Sequence, residues 1–170
     1  MPSQAAQNEA MKTIVLLAAA AWLLLACAAP VPAPQTPVDA VLKAWGRPTA
    51  TYTLQPAGQR LEFASGPWGR TTWMIDLDAA GRVTQTRQVL DEAEFLRVQS
   101  QAPLSQDALL RWIGTPGERR GARGGGQTWS WRYPTNDCLW FQVSIDAEGQ
   151  ARSGAFAIDP TCDGPSDARE

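Results

Sequence analysis

The decapeptide Asp107–Pro116, DALLRWIGTP, has a similar counterpart, DAVLKAWGRP, at Asp39–Pro48. The two copies begin at positions 39 and 107, which are 68 residues apart. A second pair of segments, Asp78–Gly81 (DAAG) and Asp146–Gly149 (DAEG), has the same spacing. Two ungapped matches at one offset indicate an internal duplication. We therefore expect two tandem units of similar structure.

Each decapeptide predicts a short amphipathic helix that ends at a glycine. Apolar residues recur at helical spacing in both copies, and Gly46 and Gly114 follow the last turn. Pro48 and Pro116 then prevent the helix from continuing. Ser105 is a natural N-cap for the second helix. Helices of about two to three turns are not stable alone, so each one should pack on a sheet.

Alternating apolar residues downstream of each helix predict antiparallel strands with one buried face. The inward positions are Leu61, Phe63, Trp73, Ile75 and Leu77 in the first unit, and Trp129, Trp131, Phe141, Val143 and Ile145 in the second. The two Asp-Ala-x-Gly segments predict tight turns before final strands at 82–90 and 150–158, and residues 91–99 predict a connecting helix. The predicted fold is α+β, with two tandem helix-plus-antiparallel-meander repeats of period 68 packed as one body.

Residues 1–26 are typical of an export signal, and translation can begin at Met11 instead of Met1. The apolar run at 14–26 is about 13 residues long, too short to span a bilayer and of the length of a signal-peptide core. It ends in LLAC at 24–27, which resembles the lipobox of bacterial lipoproteins, where Cys27 would carry the lipid. The alternatives are an ordinary signal peptide with an incidental cysteine, or a short membrane anchor. Ala28 after the cysteine resembles the pattern of lipoproteins that are sent to the outer membrane.

A proline-rich linker follows the anchor cysteine. Residues 27–37 contain four prolines, a composition that favours extended polyproline II and acts as a spacer. The sequence then divides into repeat units at 38–99 and 100–162, followed by a polar tail at 163–170. We expect the linker to hold the folded part away from the membrane.

The cysteine and histidine counts limit which catalytic and metal sites the chain could form. With Cys27 assigned to the anchor, Cys138 and Cys162 remain, and in an oxidising compartment they are expected to form a structural disulfide. A reactive cysteine needs a neighbouring base, and the chain has no histidine. No set of residues combines a nucleophile, a base and an orienting group, so we predict no enzymatic activity, metal or cofactor. A net charge of −2 gives no reason to expect nucleic acid as a partner.

The prediction of a binding face starts from one tryptophan that is expected to point outward. Trp140 should point outward, because Phe141 and Val143 already occupy the inward face of its strand. Large aromatic residues and arginine are enriched in binding hot spots, so we predict that the outer sheet face binds a protein. The alternative is that a loop or the N-terminal linker covers Trp140. The candidate partner-binding residues are Trp140, Arg132, Gln142, Met74, Asp76 and Trp68.

Five other tryptophans are predicted to pack in the core, and one loop is unusually rich in arginine and glycine. The packing tryptophans are Trp45, Trp73, Trp112, Trp129 and Trp131. Residues 118–126, ERRGARGGG, predict a flexible hairpin tip, with contact to lipid headgroups or an anionic partner as the alternative. The loop lacks the Gly-Lys-Ser/Thr ending of a phosphate-binding loop.

A short helix that ends in apolar-x-Gly-x-Pro, followed by strands with an Asp-x-x-Gly turn before the last one, resembles the SmpA/OmlA family of BamE-like envelope lipoproteins. Two such units in tandem are similar to the β-lactamase inhibitor protein architecture. The resemblance covers about residues 38–162. Neither unit shows the Gly-Met-Thr/Ser segment that usually opens the repeat of that family, and Ser105 keeps only its capping part.

The resemblance implies a non-catalytic lipoprotein of the bacterial envelope, anchored through Cys27 in the outer membrane and facing the periplasm. Its implied role is that of an accessory or scaffold module that binds another envelope protein, in outer-membrane protein assembly or envelope integrity. An inhibitor or ligand-sequestering module of the periplasm is one alternative. A peptidoglycan-associated structural lipoprotein is the other.

Overall fold

A computed structural model of the protein describes residues 29–122, 124–134 and 136–162, with the side chains of residues 136 and 137 left out. The predicted signal peptide, Cys27 and the polar tail lie outside these residues. The chain divides into two compact units, Met1–Val31 and Pro32–Glu170. All helices and strands described below belong to the second unit. They form a mixed α+β fold with three helices and two antiparallel sheets, as predicted.

The first sheet follows one short helix. The elements are α1 (Val38–Trp45), β1 (Ala50–Thr53), β2 (Gln59–Ala64), β3 (Thr72–Leu77) and β4 (Val83–Gln88). The four strands are hydrogen-bonded in the order β1-β2-β3-β4, and each neighbouring pair is antiparallel. The first predicted helix and its strands are therefore confirmed.

The second sheet has five strands and two helices. The elements are α2 (Glu92–Gln101), β5 (Leu104–Ser105), α3 (Gln106–Ile113), β6 (Glu118–Gly121), β7 (Gln127–Tyr133), β8 (Asn136–Ile145), β9 (Gln150–Ile158) and a 3₁₀ turn (Pro160–Cys162). The strand order is β5-β9-β8-β7-β6. Ser105 caps α3 as predicted, because its hydroxyl accepts a hydrogen bond from the backbone N–H of Ala108 at 3.1 Å.

Nine of the ten predicted inward residues belong to or pack against two hydrophobic clusters, and the half-buried Trp73 instead packs edge-on against Trp45, at 5.7 Å between ring centres. In the smaller cluster, α1 covers one face of the first sheet, and the buried members are Val41, Leu61, Ile75, Leu77 and Val83. The larger cluster contains residues of both sheets and of α2 and α3, among them Phe95, Leu109, Ile113, Trp129, Trp131 and Phe141. Alternation along the strands therefore predicted the apolar faces correctly.

The positions expected for Met74 and Asp76 are wrong, since both residues are buried. Met74 belongs to the larger hydrophobic cluster. Asp76 accepts two hydrogen bonds from Arg60, at 2.6 and 2.7 Å. Arg60 also donates to the backbone carbonyl of Arg111 in α3, at 2.8 Å. The reason is that α3 lies between the two sheets and covers the face of the first sheet that the sequence left open.

A buried carboxylate joins the first sheet to the end of α3. Glu62 in β2 accepts hydrogen bonds from the Tyr52 hydroxyl at 2.6 Å and from the backbone N–H of Thr115 at 2.8 Å. Burial and the Glu62 carboxylate raise the pKa of Tyr52 well above its usual range. The phenol therefore stays protonated and keeps donating to Glu62.

Part of the proline-rich segment lies along β4. The Pro32 carbonyl accepts a hydrogen bond from the Thr86 hydroxyl at 2.8 Å. The backbone N–H of Gln35 donates to the Val83 carbonyl at 2.7 Å, and the N–H of Val83 donates to the Thr36 carbonyl at 2.9 Å. This part of the expected spacer therefore belongs to the folded unit.

The ends of β8 and β9 are tied together. The structure joins Cys138 and Cys162 by a disulfide with a Cα–Cα distance of 5.4 Å. Next to it, the backbone N–H of Asp159 donates to the Cys138 carbonyl at 2.9 Å.

Among the described residues, no helix has the length and apolar character that crossing a membrane requires.

Candidate protein-binding face

Among the described residues, the helices cover only one of the two faces of the second sheet. Side chains alternate along each strand, and Phe141 and Val143 of β8 point toward α2 and α3. The residues between them point to the opposite side, which we call the outer face. Its members on the three central strands are Thr128, Ser130 and Arg132 on β7, Trp140, Gln142 and Ser144 on β8, and Ser153, Ala155 and Ala157 on β9. Most of these side chains are small and project little from the sheet, and Trp140 and Arg132 are the large exceptions.

Trp140 lies on the outer face, as its position in the strand predicts, but it is only 3% exposed. The predicted exposed position of Trp140 is therefore wrong. Cationic side chains of β7 and β6 cover it, since the guanidinium carbon of Arg132 lies 5.1 Å from the centre of its ring and that of Arg120 lies 6.0 Å away. Trp140 thus supports the face and does not itself offer a contact surface.

The exposed aromatic residue of this region is Trp68, which comes from the loop between β2 and β3. Its side chain is 70% exposed. The guanidinium carbon of Arg132 lies 4.6 Å from the centre of the Trp68 ring, within the range of a cation–π interaction. Arg132 therefore contacts both tryptophans, and we call Trp68, Arg132 and Trp140 the Trp–Arg–Trp group.

Hydrogen bonds hold the guanidinium of Arg132 in place. Its Nε and Nη2 atoms donate to the two carboxylate oxygens of Asp159, the second at 2.9 Å, and its Nη1 atom donates to the Pro67 carbonyl at 3.0 Å. Asp159 also accepts from the backbone N–H and the hydroxyl of Thr161. Because its donors are engaged in this way, Arg132 acts as a fixed support for Trp68 and not as a free cation.

The charge of Asp159 is maintained despite its burial. Burial alone would raise the pKa of this carboxyl. The hydrogen bonds from Arg132 and Thr161 outweigh burial, so the pKa of Asp159 lies below its usual value. The ion pair therefore persists at neutral pH and keeps the loop with Pro67 and Trp68 next to the second sheet.

Two buried polar atoms of this region have no hydrogen-bond partner within the described residues. They are the indole Nε1 of Trp140 and the Oε2 atom of Glu118. The other oxygen of Glu118 accepts from Arg120 at 2.9 Å. Buried polar groups in native proteins are nearly always paired with protein or with water. Because both atoms are shielded from the surface, an internal water is the partner that this rule favours.

The structure brings together four of the six candidate binding residues. Trp140, Arg132 and Gln142 share the outer face, and Trp68 reaches it from its loop. Gln142 is half-buried and donates to the Ser130 hydroxyl at 3.0 Å. Met74 and Asp76 are not part of it, since α3 covers them.

The sequence alone does not identify Asp159 and Pro67 as parts of the face. One sequence signal points to Asp159, which directly follows the last strand and stands two residues before Thr161. Aspartates in such positions commonly accept hydrogen bonds from the backbone two residues on. Nothing in the sequence indicated the contact between the Pro67 carbonyl and Arg132, because 65 residues separate them.

The arginine- and glycine-rich segment is only partly a loop. Its first four residues form β6, and the backbone N–H of Ala122 donates to the Gly126 carbonyl at 2.8 Å to close the hairpin tip. The guanidinium of Arg119 lies 4.3 Å from the centre of the Trp129 ring. Two of the three arginines, Arg119 and Arg120, therefore cover tryptophans, and Arg123 lies outside the described residues.

Comparisons with protein-family models, with curated proteins and with solved structures give no match to this chain.

Proposed function

We propose that this protein is a non-catalytic lipoprotein of the bacterial envelope, anchored through Cys27, that binds another envelope protein through Trp68 and the outer face of the second sheet. The observation that carries the proposal is the exposed indole of Trp68 on a fixed support. Tryptophan and arginine dominate binding hot spots. An aromatic side chain that is already positioned loses little entropy on binding. The surrounding small side chains of β8 and β9 leave room for a partner surface.

We also propose that the two halves of the folded unit derive from one duplicated segment of 68 residues. Both Gly46 and Gly114 end a helix with φ near 80°. Both Asp-Ala-x-Gly turns are closed by the same bond, from the glycine N–H to the carbonyl of the aspartate. These shared details, at the spacing of the sequence matches, support a tandem repeat. The resemblance to the SmpA/OmlA family adds support for a role at the outer membrane, in barrel assembly or envelope integrity.

In-cell photocrosslinking tests the binding face. A photoreactive amino acid at position 68 should capture one envelope protein, because this side chain is the most exposed aromatic of the face. The matched control is the same probe at Leu42 on α1, which is 38% exposed and lies away from the outer face. Capture of a barrel-assembly subunit or another envelope scaffold would support the proposal, and capture of a soluble periplasmic hydrolase would favour the inhibitor alternative.

The affinity for the captured protein gives the quantitative check. Trp68→Ala should weaken binding at least about tenfold, as truncating a hot-spot tryptophan does. Leu42→Ala should leave the affinity unchanged. Equal adducts at both positions, or full affinity with Trp68→Ala, would show that this face is not the interface.

A further inference from the structure

The edge of β9 that faces away from β8 lacks a partner strand over most of its length among the described residues. The strand order places β9 between β8 and the two-residue strand β5, which pairs only with Gln150 and Ala151. Within the described part of the chain, residues 153–158 therefore have no neighbouring strand on that side. Natural proteins usually protect such edges with charges, prolines or bulges. The sequence here is SGAFAI, which contains no charge and no proline.

The register shows which backbone groups face the open side. Asp159 donates its N–H to the Cys138 carbonyl of β8. In an antiparallel pair, every second residue bonds to the same neighbour, so Ala157 and Ala155 also bond toward β8. The backbone groups of Gly154, Phe156 and Ile158 thus point outward. Consistent with this, the Gly154 carbonyl accepts a hydrogen bond from the Gln99 side chain on α2, at 2.7 Å.

Exposed apolar side chains accompany these backbone groups. Ile158 is 63% exposed and Phe156 is 37% exposed. Leu96 on α2 is 57% exposed and precedes Gln99 by three residues, so it lies on the side of the helix that faces the β9 edge. Adjacent exposed apolar residues on a soluble domain commonly mark an interaction site. The edge therefore combines an apolar border with backbone groups that no described strand pairs, although Gln99 already bonds the Gly154 carbonyl.

We propose that this edge pairs with the same edge of a second copy of the chain, in antiparallel orientation about a two-fold axis at Phe156. In this register the outward-facing residues meet each other: Phe156 lies opposite its counterpart, and Gly154 lies opposite Ile158 of the second copy. Gly154, which has no bulky side chain, thus lies opposite Ile158, the more exposed of the two large apolar residues of this edge. Ala155 lies opposite Ala157, and no charged side chain between 153 and 158 opposes another.

Two features make this edge ready for pairing. The disulfide to Cys138 and the ion pair between Asp159 and Arg132 fix the end of β9, so little order has to be gained on association. The tail at 163–170 is a poor substitute for a second copy, because its sequence, DGPSDARE, offers no large apolar residue to cover Phe156 and Ile158. Pairing would join the two second sheets into one continuous sheet of ten strands.

Sedimentation of the purified full chain in a density-matched detergent tests the proposal. The native chain should sediment as a dimer. Ile158→Lys should weaken dimerisation about 100-fold, because each dimer would bury two ammonium groups. Leu42→Lys is the matched control, since it places the same charge on an exposed apolar position of α1, and it should remain dimeric. A monomeric native chain, or a dimer that survives Ile158→Lys, would overturn the proposal.

Cysteine crosslinking in membranes tests the register. Phe156→Cys should give a covalent dimer, because directly opposed residues in a hydrogen-bonded pair have Cα atoms about 5.5 Å apart. Ala155→Cys should crosslink with Ala157→Cys when the two variants are mixed, and poorly with itself. The unsubstituted chain measures the background from Cys27. Absence of both crosslinks would rule out this interface, whatever the outcome at Trp68, which lies outside the edge.

Discussion

At the scale of single residues, one ion pair determines the shape of the candidate face. The guanidinium of Arg132 contacts Trp68 and Trp140 and is held by the carboxylate of Asp159. The sequence placed Trp140 and Arg132 on the correct side of the sheet, because alternation along a strand is a local property. It left open whether a loop or the linker covers Trp140. The cover comes from Arg120 and Arg132, and Arg132 is held by Asp159, 27 residues away along the chain.

We expect the contribution of Asp159 to stability to depend on pH. Its pKa in the folded protein lies below that of an unfolded carboxyl, so the folded state binds fewer protons over this range and acidification favours unfolding. The stabilisation is complete above the unfolded pKa of about 3.9 and is lost as the pH falls through the lower folded value. The hydrogen bonds from the backbone of Gln150 and from Arg152 lower the pKa of Asp146 in the same direction.

Urea unfolding of the native chain and of Asp159→Asn, followed by circular dichroism from neutral pH to pH about 2, measures this effect. The difference in free energy of unfolding between the two proteins should be largest near neutral pH and should shrink below about pH 4. Adding Arg132→Ala to both proteins is the control, because it removes the main charged partner and should make the difference smaller at neutral pH. A difference that is constant with pH would contradict the assignment.

At the scale of elements, the two glycines that end α1 and α3 have the same backbone conformation and different surroundings. Gly46 and Gly114 both have φ of 80° with ψ of −152° and −171°, a region that is nearly exclusive to glycine. A Cβ at Gly46 would have no atom within 4 Å. A Cβ at Gly114 would lie 2.7 Å from a methyl group of Thr72 and 3.1 Å from the carboxyl carbon of Glu62.

Replacing each glycine by alanine should therefore have unequal effects. Gly46→Ala should lower the free energy of unfolding by about 2 kcal/mol, from backbone strain alone. Gly114→Ala should lower it by about 2 kcal/mol more, because the new methyl group must displace the packed Thr72 and Glu62 side chains. Urea unfolding at neutral pH gives both values. Equal losses would mean that the end of α3 does not pack closely on the first sheet.

The same elements show how far the sequence could predict the fold. Periodicity predicted α1, α3 and the strands, because hydrophobic spacing specifies which side of an element is apolar. It does not specify what covers that side. The sequence predicts that the apolar side of α3, from Leu109 to Ile113, packs against one sheet only. Met74, an apolar residue on the opposite face of the first sheet, is the sequence feature that indicates a second contact for α3.

At the scale of the whole molecule, the disulfide secures the last strand. The sequence predicted the pairing of Cys138 and Cys162 by elimination, and the structure agrees. The two cysteines stand 24 positions apart, and this separation determines how much the disulfide should stabilise the fold by restricting the unfolded chain. The packing of two sheets around one helix lay beyond the sequence, since it depends on contacts between residues more than 50 positions apart, such as Arg60 with Arg111.

Replacing both cysteines by serine should lower the free energy of unfolding by about 3 kcal/mol. The native chain measured in reducing buffer should approach the value of the double variant, and the variant itself should not respond to the reductant. Urea unfolding of both proteins, each with and without reductant, makes the comparison. If the native chain did not respond either, the disulfide would contribute nothing to the stability of the fold.

The exposure of Trp68 also gives the molecule an optical property. Among the described residues, the other tryptophans are buried or half-buried. Indole fluorescence shifts to longer wavelengths in water and is quenched by collision with small solutes such as acrylamide. Of the emission from the seven tryptophans in the described residues, the quenchable, long-wavelength part should therefore come mainly from Trp68. The protein carries its own fluorescent reporter at the proposed contact point, and a docked partner would be seen as a blue shift and a loss of quenching.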